Sequence, residues 1–215
     1  MSESLLVTID RVAYAEKPAK GEIAAITRRL QAAGPVEVAP EELAEAVANG
    51  HTWCGGCYKP SRRGWGEFIG QQLFAFDVDN DIEVVGPDGR KVRDAEGHVV
   101  KRDLRRGEEG FLDPWAALDR FRSLFGGDPL LMYPSFSFEQ PSDLTQYPEK
   151  CKFRLAFDAG AMVDSEERAK DVLAKLLRAF PEADPKCVNA NRLFFGSCGK
   201  AVLFTEGGPL YVQRA

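Results

Sequence analysis

Histidine is almost absent from this chain of 215 residues, which holds only His51 and His98. Long apolar runs are absent too, since no stretch approaches the roughly 18 to 20 residues that a membrane-spanning helix needs. Residues 1–4 lack the basic-then-apolar layout with which a secretory signal peptide begins. We therefore expect a cytoplasmic protein that has no membrane partner.

Cysteine is present in an odd number, five, which argues against a disulfide framework and favours reduced thiols. Cys54 and Cys57 form a C-x-x-C pair shortly after His51, which invites a zinc interpretation. A structural zinc site takes four ligands, usually from two such pairs. The other cysteines are scattered, at Cys151, Cys187 and Cys198. We therefore expect no zinc and interpret the thiols as buried or idle.

The chain also has no excess of positive charge. Its 28 basic and 33 acidic residues give a net charge of −5, which argues against a protein that coats nucleic acid through bulk charge. Basic residues do gather at 59–63, 90–93 and 101–106, and the first group lies among the aromatic residues of 53–68. Such mixtures can stack bases and hold phosphates. Solvated charged faces are the alternative interpretation.

The hydrophobic pattern changes between strand and helix periods and predicts an α/β (α+β) protein, a mixed β-sheet with flanking helices. Strands are expected at 4–10, 71–79, 130–138, 152–157, 192–196 and 201–205, and helices at 21–33, from 40, from 114 and at 165–180. Turn residues favour a hairpin-like insertion over 82–106. We expect one compact domain, in which an N-terminal α/β unit at 1–70 packs on a core at 71–215.

Two aspartates, Asp77 and Asp79, end the hydrophobic run of the strand predicted at 71–79. Side chains alternate along a strand, so both carboxylates should project from one face. Neighbouring carboxylates repel each other, and a hard divalent cation such as Mg²⁺ or Mn²⁺ removes that repulsion. Replacing both is therefore expected to leave thermal stability unchanged or slightly higher. A strand end whose aspartates face water is the alternative.

Two downstream segments carry further charged residues. Lys152 and Arg154 alternate on a predicted strand and share a face, where they suit a triphosphate better than a core; a solvated edge strand is the alternative. Further on, Asp184 precedes a short polar turn and then Asn191 and Arg192. Asp184 could complete a carboxylate trio, and Arg192 could reach a phosphate or fix Asp184. A plain turn after a helix would explain the same residues.

The order and spacing of these segments resemble the catalytic core of the archaeo-eukaryotic primase superfamily, the primase-polymerases, over roughly residues 70–206. The residues 74–79 match its first motif, and Asp184 with 191–194 matches its third. The residues 133–138 and 152–157 look like the second motif of members carried by phages, plasmids and other mobile elements. Many members have Ser-x-His in that motif, where this chain has Lys-Phe-Arg at 152–154.

The resemblance implies an RNA-recognition-like core, a primase and DNA polymerase, that joins nucleoside triphosphates on a single-stranded DNA template with two Mg²⁺ or Mn²⁺ ions. Asp77 and Asp79 would bridge the ions, and Asp184 would bind the one nearer the attacking oxygen. The residues that would contact the nucleotide are Arg154, Arg192, Lys152, Ser135 and Ser137, with Arg154 in place of the missing histidine. Members often also have a helicase or primer-binding domain, which here would lie beyond Ala215.

Two other functions compete with this interpretation. A catalytically weakened nucleic-acid-binding module could use the same scaffold, and the acidic charge and missing histidine favour it, whereas the three aspartates disfavour it. A rolling-circle initiator nuclease can share an RNA-recognition-like sheet, but it needs a metal-binding histidine pair and a nucleophilic tyrosine. His51 and His98 form no such pair in the sequence.

Overall fold

The structure is a computed structural model, and it describes residues 4–136, 151–197, 199–205 and 208–213. The helices are α1 (Lys20–Ala33), α2 (Pro40–Ala48), α3 (Pro114–Phe125) and α4 (Glu166–Ala179), and a short 3-10 helix spans Pro185–Val188. The strands are β1 (Leu5–Ala13), β2 (Val36–Val38), β3 (His51–Cys54), β4 (Gly56–Tyr58), β5 (Phe68–Val78), β6 (Asp81–Glu83), β7 (Lys101–Asp103), β8 (Leu131–Pro134), β9 (Phe153–Val163), β10 (Lys200–Thr205) and β11 (Gly208–Gln213).

The largest sheet has six strands in the order β11-β10-β8-β9-β5-β4, and every neighbouring pair is antiparallel. The predicted mixed α+β class is confirmed, but the sheet itself is antiparallel, not mixed. Strand direction could not be predicted because the long connection from β5 to β8 can return the chain either way. The residues of β5 from Gly70 to Val78 are all buried, as expected of a strand covered on both faces.

A smaller antiparallel sheet, β2-β1-β3, comes from the N-terminal part of the chain. The next strand, β4, already belongs to the six-stranded sheet, where it pairs with β5. The N-terminal residues therefore share both a sheet and the main hydrophobic core with the rest of the chain, since Leu5, Val7 and Leu43 cluster with Phe76 and Leu155.

The helix boundaries follow from local capping chemistry. Asp113 accepts a hydrogen bond from the Trp115 amide at 2.9 Å and begins α3, as predicted, while Gly126 ends it in the left-handed conformation. Ser165 accepts from the Arg168 amide at 3.4 Å and begins α4. Helix α4 buries one stripe of apolar residues on β5 and β9, in agreement with its helical hydrophobic period.

The strand predicted at 192–196 is wrong. These residues form no continuous strand pairing and make a single isolated β-bridge, between Phe194 and Trp53. The two residues exchange backbone hydrogen bonds of 2.8 and 2.9 Å, and their rings stack with centroids 4.9 Å apart. The apolar residues at 193–195 therefore indicate contact with β3 instead of a strand of their own.

Candidate functional site

Strand register places Asp77 at the centre of a charged cluster. In the pairing of β5 with β9, Asp77 lies directly opposite Arg154, and in the pairing of β8 with β9, Arg154 lies opposite Tyr133. The Arg154 Nε donates a short hydrogen bond to Asp77 Oδ1, and its Nη1 donates to the Phe195 carbonyl at 2.6 Å. Its guanidinium carbon lies 5.6 Å from the centroid of the Tyr133 ring. Arg154 is thus a buried ion-pair partner that fixes Asp77.

A second arginine joins Asp77 to Asp184. The Arg192 Nη2 donates to Asp77 Oδ2 at 3.1 Å and to Asp184 Oδ2 at 2.8 Å. The Asp184 amide also donates to the Asp77 carbonyl at 2.8 Å, so the turn after α4 is tied to the end of β5. The expected proximity of Asp184 to Asp77 is confirmed, although more than a hundred residues separate them in sequence.

Cys187 is the third potential metal ligand of this cluster, and no local sequence pattern marks it as one. Its Sγ accepts a hydrogen bond from the Asp77 amide at 3.3 Å and lies 4.0 Å from Asp77 Oδ2. Asp77, Asp184 and Cys187 each offer a ligand atom, and these atoms all lie within 4.8 Å of one another. Burial and the charge of Asp77 raise the pKa of the Cys187 thiol to about 12. The described residues thus include a mixed oxygen–sulfur group that could hold one cation.

Asp79 is not a member of that group, which differs from the predicted carboxylate trio. Strand β5 ends at Val78, and Asn80 has a left-handed backbone with φ of 45°. Because Asp79 lies beyond the end of β5, the alternation of side chains along a strand no longer determines the direction of its side chain. Asp77 and Asp79 nevertheless line the same cavity. Burial, and after it the charge of Asp77, raise the pKa of Asp79.

Lys152 faces the insertion instead of Asp77. Its Nζ lies 3.2 Å from carboxylate oxygens of both Asp81 and Asp103, which belong to β6 and β7. Ser135 is buried, and its Oγ has no hydrogen-bond partner among the described residues, but it lines neither of the two cavities described below. Ser137, the other predicted nucleotide contact, lies outside the described residues.

Two cavities meet at this cluster and carry opposite charge. The first, about 450 Å³, has four cationic and two anionic side chains and is called the cationic cavity: Lys17, Arg154, Lys186, Arg192, Asp77 and Asp79. The second, about 720 Å³, has six anionic and two cationic side chains and is called the acidic cavity: Asp79, Asp81, Glu83, Glu109, Glu182, Asp184, Lys101 and Lys186. Asp79 and Lys186 line both.

Sequence reasoning missed two cations of the cationic cavity. Lys17 lies in the loop before α1, and Lys186 lies in the short 3-10 helix; neither makes an ion pair with any described residue. Lys186 sits two residues after Asp184 and could have been suspected, but no local pattern marks Lys17. It reaches the cavity only because the N-terminal residues fold onto the core.

Comparisons of the chain with protein-family models, with curated proteins and with solved structures found no match. No helix among the described residues is at once long and apolar enough to cross a membrane.

The C-x-x-C thiols make internal contacts. Cys54 Sγ lies 3.5 Å from the Ala190 carbonyl and Cys57 Sγ 3.4 Å from the Leu6 carbonyl, and burial raises both pKa values to about 12. His51 Nδ1 is 2.7 Å from the Asp10 carbonyl. These contacts suit structural thiols, and the absence of zinc stays a prediction.

The basic groups of the insertion and of its flanks are largely neutralised by nearby carboxylates. Ion pairs join Lys91 to Glu83, Lys101 to Asp81, Arg102 to Glu108 and Arg106 to Asp113. Such exposed pairs leave little net charge for a nucleic-acid strand, so the unpaired lysines of the cationic cavity are better candidates for phosphate contacts.

Proposed function

We propose that this chain is a template-dependent nucleotidyltransferase of the primase-polymerase kind, which joins nucleoside triphosphates on a single-stranded DNA template. The observation that carries the proposal is the meeting of Asp77 and Asp184 at the edge of the cationic cavity. A carboxylate pair able to hold a cation and a pocket with an excess of positive charge are the two parts that phosphoryl and nucleotidyl transfer require.

The cationic cavity suits a triphosphate in charge and donors. Lys17 and Lys186 are unpaired among the described residues, and the Arg192 Nε is a buried donor without a hydrogen-bond partner there. A charged donor left unpaired in this way is costly unless an acceptor arrives. A phosphate oxygen would supply that acceptor, so Lys17, Lys186 and Arg192 are assigned to the triphosphate.

Arg154 has a different role from the one that the sequence suggested. Its guanidinium is already committed to Asp77 and to the Phe195 carbonyl. We therefore assign it to positioning Asp77, while its charge adds to the field of the cavity that it lines. Asp79 acts at longer range, through its charge at the border of the two cavities, and Lys152 acts through its charge on Asp79 and its ion pairs with Asp81 and Asp103.

The donor set fits a divalent cation, Mg²⁺ or Mn²⁺, at Asp77 and Asp184, and we propose that two such ions take part in the reaction. When bound, such a cation lowers the pKa of the attacking hydroxyl and offsets charge on the phosphate. The carboxylates would hold it, and Arg192 would have to release at least one of them.

A binding module without catalysis is the second candidate, and one observation favours it. Both oxygens of Asp77 already accept hydrogen bonds from guanidinium groups, so the carboxylate is neutralised without any metal. In that case the cationic cavity would bind nucleotide or a nucleic-acid phosphate and no bond would be made.

Incorporation of labelled nucleotides on a single-stranded DNA template, with Mn²⁺ or Mg²⁺ and with or without a primer, tests the proposal. We expect activity in the natural protein and in Asp171→Asn, whose exposed carboxylate on α4 lies outside the site. We expect no activity in Asp184→Asn. Nucleotide binding with no incorporation under any condition would support the binding module, and equal activity in both variants would reject this site.

A further inference from the structure

We propose that Asp77, Asp184 and Cys187 form a cation site that takes sulfur as its third ligand and therefore prefers thiophilic divalent ions to Mg²⁺, and that Arg192 holds this position in the metal-free protein. The inference deepens the proposed function and rests on it for the role of the cation. The evidence is that Asp77, Asp184 and Cys187, which lie on separate elements, bring their ligand atoms close together.

The three ligands come from separate elements, and each is held in place. Asp77 is on β5, Asp184 is tied to it by a 2.8 Å backbone hydrogen bond, and Cys187 is fully buried in the 3-10 helix. The ligand atoms already lie within 4.8 Å of one another. Two carboxylate oxygens and one sulfur can therefore reach a single ion after small side-chain movements.

Arg192 shows that this position attracts positive charge. One nitrogen, Nη2, lies within hydrogen-bond distance of both Asp77 Oδ2 and Asp184 Oδ2. A divalent cation bound by the same two oxygens needs the space that this nitrogen occupies. Arginine and metal therefore compete, and loading the metal would free the guanidinium, whose side chain lines the cationic cavity.

The sulfur ligand decides which cations bind best. Mg²⁺ prefers oxygen ligands in a nearly ideal octahedron, whereas Mn²⁺, Co²⁺ and Zn²⁺ accept sulfur increasingly well. The thiol must lose its proton to solvent when the metal binds. The Asp77 amide already donates to this sulfur at 3.3 Å, and it would stabilise the resulting thiolate.

Cadmium is the probe, because a cadmium–thiolate bond gives a charge-transfer absorption in the ultraviolet that oxygen ligands do not give. We expect the natural protein to show this band with one equivalent of Cd²⁺, and we expect Cys151→Ser, which alters another buried cysteine, to keep it. Cys187→Ser should lose the band. A band of full size in folded Cys187→Ser, or no band in the natural protein at saturating Cd²⁺, would overturn the inference.

Two further variants keep the test decisive if Cys187→Ser does not fold. Asp184→Asn, which removes the least buried ligand, should weaken Cd²⁺ binding by about tenfold or more, whereas Arg192→Gln should strengthen it by about tenfold, which corresponds to about 1.4 kcal/mol. Unchanged Cd²⁺ affinity in both would reject the site. A cadmium band without nucleotide incorporation would sink the proposed function alone, and incorporation without the band would sink this inference alone.

Discussion

The cationic cavity and the acidic cavity share a border, yet their charge differs sharply. The first holds four cations against two carboxylates, and the second holds six carboxylates against two cations. The ion pairs differ too. In the acidic cavity, Asp81 pairs with Lys101, which lines the same cavity, and Glu182 pairs with Arg120 of α3, which does not line it. Two lysines of the cationic cavity, Lys17 and Lys186, have no ion-pair partner among the described residues.

This difference in charge and pairing indicates which cavity favours the binding of an anionic ligand. Unpaired lysines and the spare Arg192 Nε donor gain from an arriving phosphate, whereas a cation at Asp77 and Asp184 has to displace Arg192 first. Asp77 lines the cationic cavity and Asp184 lines the acidic cavity, and Arg192 joins the two carboxylates where the cavities meet. We therefore propose that phosphates bind on the cationic side and that a metal binds at the border.

The largest expected effect comes from removing the charge that balances both arginines. Asp77→Ala would leave the buried Arg154 without its ion-pair partner, which should cost about 3 to 5 kcal/mol. In a chain of this size that lowers Tm by about 6 to 20 °C. Thermal unfolding with Asp171→Ala as control measures it. Repulsion between Asp77 and Asp79 alone predicted instead that replacing both aspartates leaves stability unchanged or slightly higher. An unchanged Tm in Asp77→Ala would favour that earlier view.

A smaller loss is expected when Arg154 becomes lysine. Lysine keeps the charge but cannot bond both Asp77 and the Phe195 carbonyl, so one buried acceptor is left unpaired. The cost should be about 1 to 3 kcal/mol, measured by urea unfolding. Equal stability of Arg154→Lys and the natural protein would mean that the fork geometry of arginine is not needed there.

Asp79→Asn should raise the stability of the folded protein, whereas Asp77→Ala should lower it. Because burial and Asp77 raise the pKa of Asp79 in the folded protein, the folded state holds that proton more tightly than the unfolded state. Stability therefore falls as pH rises from the unfolded pKa of about 3.9 through the raised value. In chelator at pH 7, asparagine should raise stability by no more than about 1 kcal/mol, and the gain should vanish below about pH 3.9. A loss at pH 7 would contradict this.

The smallest effect is expected at the edge of the cationic cavity. Lys17→Ala should weaken triphosphate binding by roughly 1.4-fold to fivefold, since an exposed charge contributes about 0.2 to 1 kcal/mol. Lys20→Ala is the matched control, because Lys20 is also exposed but does not line the cavity. Isothermal titration with a nucleoside triphosphate measures both, and equal losses would indicate a general charge effect.

Local sequence patterns were enough to predict the four α-helices and the strands β1, β5, β8, β9 and β10, but not β2, β3, β4 or β11. They also singled out Asp77, Asp184 and Arg192, which the structure brings together. They could not predict which strands pair, so the ion pair between Asp77 and Arg154 emerged only with the register of β5 and β9. Cys187 and Lys17 were missed for the same reason, since their roles depend on contacts over long sequence distance. The apolar pattern at 193–195 misled because burial against β3 gives the same signal as a strand.

The proposed function depends most directly on triphosphate binding by Arg192 in the cationic cavity. The decisive measurement is a titration with a nucleoside triphosphate in chelator, so that metal competition plays no part, comparing the natural protein with Arg192→Ala. Arg122→Ala is the control, since that residue pairs with Asp128 and lines neither cavity. A charge-assisted phosphate contact is worth about 1.5 to 3 kcal/mol, so we predict roughly tenfold to hundredfold weaker binding in Arg192→Ala and no change in the control. Equal affinity in Arg192→Ala and the natural protein would contradict the account.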